Sequence, residues 1–287
     1  MVVALGACGK SEPTYGGISV MGQNYLPFNL IRFTVTDAYG NKASGGGDDP
    51  PGEGGGRVAC CYKLKGIEFT VTWQYYDADQ WIAGDKKRFS AEAKASMSPT
   101  KAPDHIGERL LEVHFFPDHH VELQFPGGLN DASRIPMVDV MRWMRQYESQ
   151  IKKQSGEEEY QQFRHVGRVV AAAWLKYRLT DLQDLEQYAY FSLLVNERFD
   201  AQADVQRMLQ ASKGTPGAFA KAIRSLAPNV MAELKHDKFV PVAVPEIADG
   251  LLPQPRTETV SGSTPERARI KSSAIGQNIY RKDDSNA

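Results

Sequence analysis

The chain has 287 residues, 41% of them apolar and 10% aromatic, which is enough for one large core or two moderate ones. Its 34 lysines and arginines meet 35 aspartates and glutamates, so no basic excess collects phosphates and no nucleic-acid partner is expected. No run approaches the roughly eighteen continuous apolar residues of a bilayer-spanning helix, which leaves the N-terminus as the part that could meet a membrane.

That N-terminus, Met1-Val2-Val3-Ala4-Leu5-Gly6-Ala7-Cys8, is an apolar run ending in a cysteine and followed by polar sequence. It resembles the lipobox of bacterial lipoproteins: a leucine, two small residues for the peptidase, and a thiol to take diacylglycerol. The run is short for a secretory h-region and has no basic segment before it, so residues 1–8 are expected to be a truncated signal whose start lies upstream. Lipid on Cys8 would anchor a soluble domain firmly, at roughly 0.8 kcal/mol per buried CH2. The implied location is the periplasm, tethered to the outer membrane in preference to the inner. The remaining cysteines, Cys60 and Cys61, are then an even pair in an oxidising compartment. The alternative is three buried thiols in a cytosolic core.

Residues 9–30, rich in Gly, Ser and Pro, are expected to be a tether. Residues 31–36 alternate in part and stop at the turn sequence Asp37-Ala38-Tyr39-Gly40-Asn41. The stretch 44–56 is mostly Gly, Asp and Pro and is expected to be a mobile acidic loop. Strands follow at 58–64, 68–76, 87–95, 109–116 and 120–125. In the clearest, Phe69, Val71, Trp73 and Tyr75 share one face, with Thr70, Thr72 and Gln74 on the other. Leu111, Val113 and Phe115 meet Val121, Leu123 and Phe125 across a turn at Pro117-Asp118-His119, as a hairpin with one dry face.

The period changes at Pro136. Val138, Met141, Trp143 (or Met144) and Tyr147 fit helical spacing, and Tyr160, Phe163, Val166, Val170, Ala173, Trp174 and Tyr177 form a stronger stripe. Asp181 can cap a helix over 182–198, with shorter helices at 203–212, 217–226 and 229–237. The fold class expected is α+β: an antiparallel, sandwich-like β region over 31–130, then an α-helical region over 131–240 packed on it. An extended, largely disordered tail fills 241–287, where Pro241, Pro245, Pro253 and Pro255 oppose helix.

Adjacent cysteines on a regular strand point to opposite faces. Joined, Cys60 and Cys61 would make a vicinal disulfide that forces a tight local turn; two unlinked thiols are the alternative. His114, His120 and Glu122 are weak zinc-ligand candidates, because a hairpin could bring two imidazoles and a carboxylate within about 2.0–2.2 Å of one ion. Polar residues on the hairpin's solvent face are the alternative, and no metal or other cofactor is expected. Gly17-Ile18-Ser19-Val20-Met21-Gly22 is one residue too long for a nucleophile elbow, and the Gly-rich stretches lack the Gly-Lys-Ser/Thr of a phosphate loop. The chain is therefore not expected to be an enzyme. Trp73-Gln74-Tyr75-Tyr76-Asp77-Ala78-Asp79-Gln80-Trp81 packs four large rings into nine residues, more than one strand can bury. Tyr76 and Trp81, with the acids Asp48, Asp49, Glu53, Asp77 and Asp79, are the partner-binding candidates, rings anchoring and carboxylates steering a basic partner.

Leu5-Gly6-Ala7-Cys8, the glycine-rich stretch leading into Val58-Ala59-Cys60-Cys61, and Phe69-Thr70-Val71-Thr72-Trp73 together resemble a family of proteobacterial lipoproteins with a Cys-Cys pair at a strand start. Members lie beside phospholipase effectors of the type VI secretion system, and some are their immunity proteins. Over residues 5–125, the resemblance implies a membrane-tethered protein that binds a phospholipase effector and covers its cleft. Only Cys8, Cys60, Cys61 and Trp73 carry over, and the helical half matches no motif of the family. The alternatives are a periplasmic hydrolase with an unrecognised site and a structural lipoprotein of the envelope or secretion apparatus.

Overall fold

The computed structural model describes residues 12–98, 100–105, 109–125, 143–155, 159–234, 250–253 and 256–257. Cys8, Val138, Met141, the expected boundary near residue 130 and most of the tail lie outside them. The fold is α+β, two sheets followed by helices. In chain order the first elements are β1 Thr14–Asn24, β2 Asn29–Asp37, β3 Lys42–Gly45, β4 Gly54–Lys65, β5 Glu68–Tyr76, α1 Ala78–Ile82, β6 Phe89–Ser96, β7 Leu110–Phe115 and β8 Val121–Gln124. They form one four-stranded sheet in the order β4-β1-β7-β8 and one five-stranded sheet, β3-β2-β5-β6-β9, whose last member is the two-residue strand β9 Arg256–Thr257.

The alternation in β5 does what its period dictates. Phe69, Val71, Trp73 and Tyr75 enter the core between the sheets, where they meet Phe33 and Val35 of β2 and Leu111, Val113 and Phe115 of β7. Phe115 lies 5.2 Å from Phe33 and 5.4 Å from Trp73, ring centre to ring centre.

The stretch expected to be a tether instead contains β1, a central strand carrying Tyr15, Ile18 and Val20 into this core. It pairs antiparallel with β4 and parallel with β7, so the first sheet is mixed. The expected mobile loop is also tied down. Leu30 and Asp49 exchange both backbone hydrogen bonds at 2.9 Å, Gly52 N donates to Asn24 O, and Asn24 N to Glu53 O. In the expected tail, Arg256 and Thr257 extend β6 as an added strand.

The helices are α2 Glu148–Ser155, α3 Glu159–Tyr177, α4 Leu182–Tyr190, α5 Ala203–Ser212, α6 Ala218–Arg224 and α7 Pro228–Leu234. Asp181 caps α4 through the N–H groups of Gln183 and Asp184. The helix expected over 182–198 passes into a π-helical turn at Phe191–Val195 and then ends. Phe163, Val166, Val169, Ala173 and Tyr177 of α3 build the helical core with Leu185, Tyr188, Phe199, Leu209 and Phe219.

The other side of α3 faces the sandwich, and its spacing of three and four residues keeps four contacts in one stripe, with a fifth, Arg178, just past the helix end. Arg164 meets Asp79, Gly167 sits on Pro51 and Arg168 reaches Asp77. Trp174 packs near Phe116 and His120, and Arg178 lies 3.4 Å from Asp118. At Gly167 a Cβ would fall 2.5 Å from that of Pro51, so only glycine lets the helix approach so closely.

Candidate functional site

The partner-binding candidates gather at the end of the sandwich where β5 runs into α1. Asp77 caps that helix: its Oδ1 accepts from the N–H groups of Asp79 and Gln80 at 3.0 and 3.1 Å. The same oxygen accepts from Arg168 Nη2 at 2.6 Å, and Asp79 Oδ2 lies 3.3 Å from that nitrogen. Arg164 donates from Nε to Asp79 Oδ1 at 3.1 Å. Asp77 and Arg168 are buried. Two of the five carboxylates expected to steer a basic partner are thus held by the chain's own arginines, 85 and 91 residues away in sequence. They join the β region to α3 and do not face outward.

The acidic loop divides in the same way. Asp49 is buried, so it is not a surface contact, and its Oδ2 has no hydrogen-bond partner among the described residues. Burial, with Glu53 and Asp48 beside it, pushes its carboxyl up to about 6. Asp48 is exposed, at a φ of 68°, and accepts from the Tyr76 hydroxyl at 3.0 Å and from Asn29 Nδ2 at 3.3 Å. Glu53 is half-buried.

Tyr76 and Trp81 do come together, edge to face with ring centres 5.1 Å apart, and both are half-buried. Burial and the hydrogen bond to Asp48 push the Tyr76 hydroxyl up to about 12. The next residue, Ile82, is 73% exposed, which was not foreseen from the sequence. Lys86 Nζ and the Arg88 guanidinium stand 4.8 and 5.3 Å from the centre of the Trp81 ring, and Lys86 also donates to the Trp81 carbonyl. Residues 78–88 thus form a small apolar knob rimmed by cations. The helical signal was present in Asp77-Ala78-Asp79-Gln80, an Asp followed three residues later by Gln.

Cys60 and Cys61 are joined as a vicinal disulfide on the exposed surface of β4, with Cys61 at a φ of 77°. The pairing of β4 with β1 slips there: three residues of β1, Ile18 to Val20, lie against four of β4, Ala59 to Tyr62. The ring occupies a β-bulge, where one extra residue bends an edge strand.

The hairpin histidines do not converge. His114 is buried rather than on a solvent face: its Nδ1 pairs with the Tyr25 hydroxyl at 2.8 Å and its Nε2 with Glu112 at 3.2 Å and Gln124 at 3.0 Å. Burial works against the Glu112 carboxylate, but hydrogen bonds from His114, Gln124 and Gln23 outweigh it and hold the group below its ordinary range. His120 is engaged separately, with Asp118 and, at 3.8 Å, Glu122. Between them His119 turns inward against Trp73 and Tyr75, and burial pushes its imidazole down to about 4. Among the described residues no group of three or more His, Cys, Asp or Glu is arranged to hold a metal, and no helix is long and apolar enough to cross a membrane.

No family model and no curated protein matches the chain. Among solved structures, a protein from Eubacterium rectale determined by NMR is 16% identical, over 43% of this chain and 97% of its own. Its TM-score of 0.19 carries no structural argument.

Proposed function

We propose that this chain is a periplasmic lipoprotein, anchored through Cys8, that binds and inhibits a phospholipase effector of the type VI secretion system. One observation carries the binding half of this proposal. The loop leaving the Trp73 strand presents Ile82, 73% exposed, beside the Trp81–Tyr76 pair. An aromatic pair of fixed geometry beside a bare aliphatic tip is the kind of anchor on which interface energy concentrates. The lipase identity and the anchor rest on the resemblance carried by Cys8, Cys60, Cys61 and Trp73. Tethering at the membrane where a lipase meets its substrate would raise the inhibitor's effective concentration. The test is hydrolysis of phospholipid vesicles by a type VI secretion phospholipase effector. The full chain, added in equimolar amount, should abolish turnover, and unchanged turnover with no complex by calorimetry would remove the inhibitor reading. Separately, a palmitate analogue fed to the native host should label wild type and not Cys8→Ser.

A second reading, a hydrolase, draws on the hydrogen-bonded series Tyr25–His114–Glu112, groups able to relay a proton. Ester turnover by the purified chain, lost in His114→Gln, would favour it.

A further inference from the structure

The outward charge of the knob fixes the chemistry of what docks on it. Within residues 77–88 the sequence shows three acids and three bases, a balanced loop. Folding changes that balance. Asp77 and Asp79 are turned inward onto Arg168 and Arg164, and Asp77 is buried. Within this stretch, what remains outward around Trp81 and Ile82 is the exposed Lys86, Lys87 and Arg88, against one half-buried acid, Asp85, which pairs with Lys87 at 2.9 Å. Lys86 and Arg88 lie against the indole of Trp81, the residue before Ile82, so two cations flank the apolar tip. Asp48, beyond Tyr76, marks the margin of the patch.

We infer that the knob seats Ile82 in an apolar depression on an acidic partner protein, whose carboxylates meet Lys86 and Arg88. This rests on the binding role proposed above and names the partner's surface: acidic, where composition alone pointed to a basic one. Opposite potentials speed encounter and fix register, while the aliphatic tip, once desolvated, slows dissociation. Ile82 is 73% exposed beside a half-buried ring, so it is placed to fill a pocket rather than to offer one.

The experiment measures binding of the full chain in detergent to that phospholipase effector, as wild type, Ile82→Ala, and Lys86→Glu with Arg88→Glu. All three positions are exposed, so the variants should keep the wild-type circular dichroism and melting. Ile82→Ala should weaken binding about tenfold with an unchanged salt slope. The charge reversal should weaken it by about tenfold or more, through slower association, and should flatten or invert the salt dependence. If both variants bind like wild type while wild type binds tightly, the knob inference falls and the inhibitor reading stands. If wild type itself does not bind the lipase, the inhibitor reading fails and this inference fails with it. A parallel arm uses sedimentation with phosphatidylglycerol vesicles and the unlipidated Cys8→Ser chain. Vesicle binding that depends on Ile82 would assign the knob to a lipid surface and overturn the protein-partner inference.

Discussion

Replacing Asp77 by alanine removes three acceptor contacts at one oxygen: two to the first N–H groups of α1 and one to the buried Arg168. Loss of the cap costs about 1 kcal/mol. Breaking a buried ion pair by deleting one partner costs roughly 3–5 kcal/mol, because the remaining charge stays desolvated. Asp79, 3.3 Å from the same Arg168 nitrogen, keeps that figure at its lower end. The expected loss for Asp77→Ala is therefore about 4 kcal/mol. Asp77→Asn keeps an oxygen for both N–H groups and removes only the charge, so it should lose about 2–3 kcal/mol. The assay is urea unfolding followed by circular dichroism and tryptophan fluorescence, with Asp77→Asn and Arg168→Met combined to isolate their coupling. A loss within about 0.5 kcal/mol of wild type for Asp77→Ala would refute the claim that this pair braces the β region against α3.

Gly167→Ala should lose about 1–3 kcal/mol in the same assay despite alanine's better helix propensity, since its Cβ would meet Pro51 at 2.5 Å; a gain in stability would show that the helix need not approach so closely. Asp49, raised from 3.8 to about 6 in the fold, binds more protons folded than unfolded between those values, so its contribution makes stability fall as pH rises from about 4 to 6. Asp49→Asn should then be more stable than wild type at pH 7 and indistinguishable below about pH 4, and identical differences at both pH values would rule out the buried charge as the cause. Cys8→Ser protein expressed in an oxidising compartment should weigh less than its reduced form by the mass of two hydrogens and should resist alkylation in denaturant; two alkylatable thiols would show Cys60 and Cys61 unlinked.

What could be read from sequence follows from which features are local. The β5 alternation was legible because a strand with one core face prints its period directly, and the β7–β8 hairpin because its two apolar runs flank a turn, although β7 is buried on both faces rather than on the one expected. β1 was not, because Thr-Tyr-Gly-Gly-Ile-Ser-Val-Met-Gly-Gln-Asn is glycine-rich and bulged against β4, and ends in buried Gln23 and Asn24. Its apolar residues never settle into a clean alternation. β3, four residues long, is too short to show any pattern. At the candidate site the residue types were visible but their partners were not. Asp77 and Asp79 look like surface acids until α3 brings Arg164 and Arg168 against them, and nothing local predicts that pairing. Two signals in α3 were available: arginines four residues apart, and a glycine between them in an otherwise helical run. Together they mark a stripe that a neighbour approaches closely.

The helical half, which matches no motif of the resembled family, has a physical role at the knob. α1 is only five residues long, too short to persist alone in water. It is held by Asp77 at its N-terminus, and Asp77 is in turn held by Arg168 from α3. Asp79, inside its first turn, is fixed by Arg164. The direction in which Trp81 and Ile82 point is therefore set by a helix whose other face is locked into a separate core by Phe163, Val166 and Tyr177. A surface loop held this way has already given up the freedom that docking would otherwise take from it, at about 0.5–1.5 kcal/mol for each immobilised side chain. On this account, substitutions at Arg164 or Arg168 weaken partner binding without touching the partner. They would do so by loosening the knob, and would leave the salt dependence that belongs to Lys86 and Arg88 unchanged.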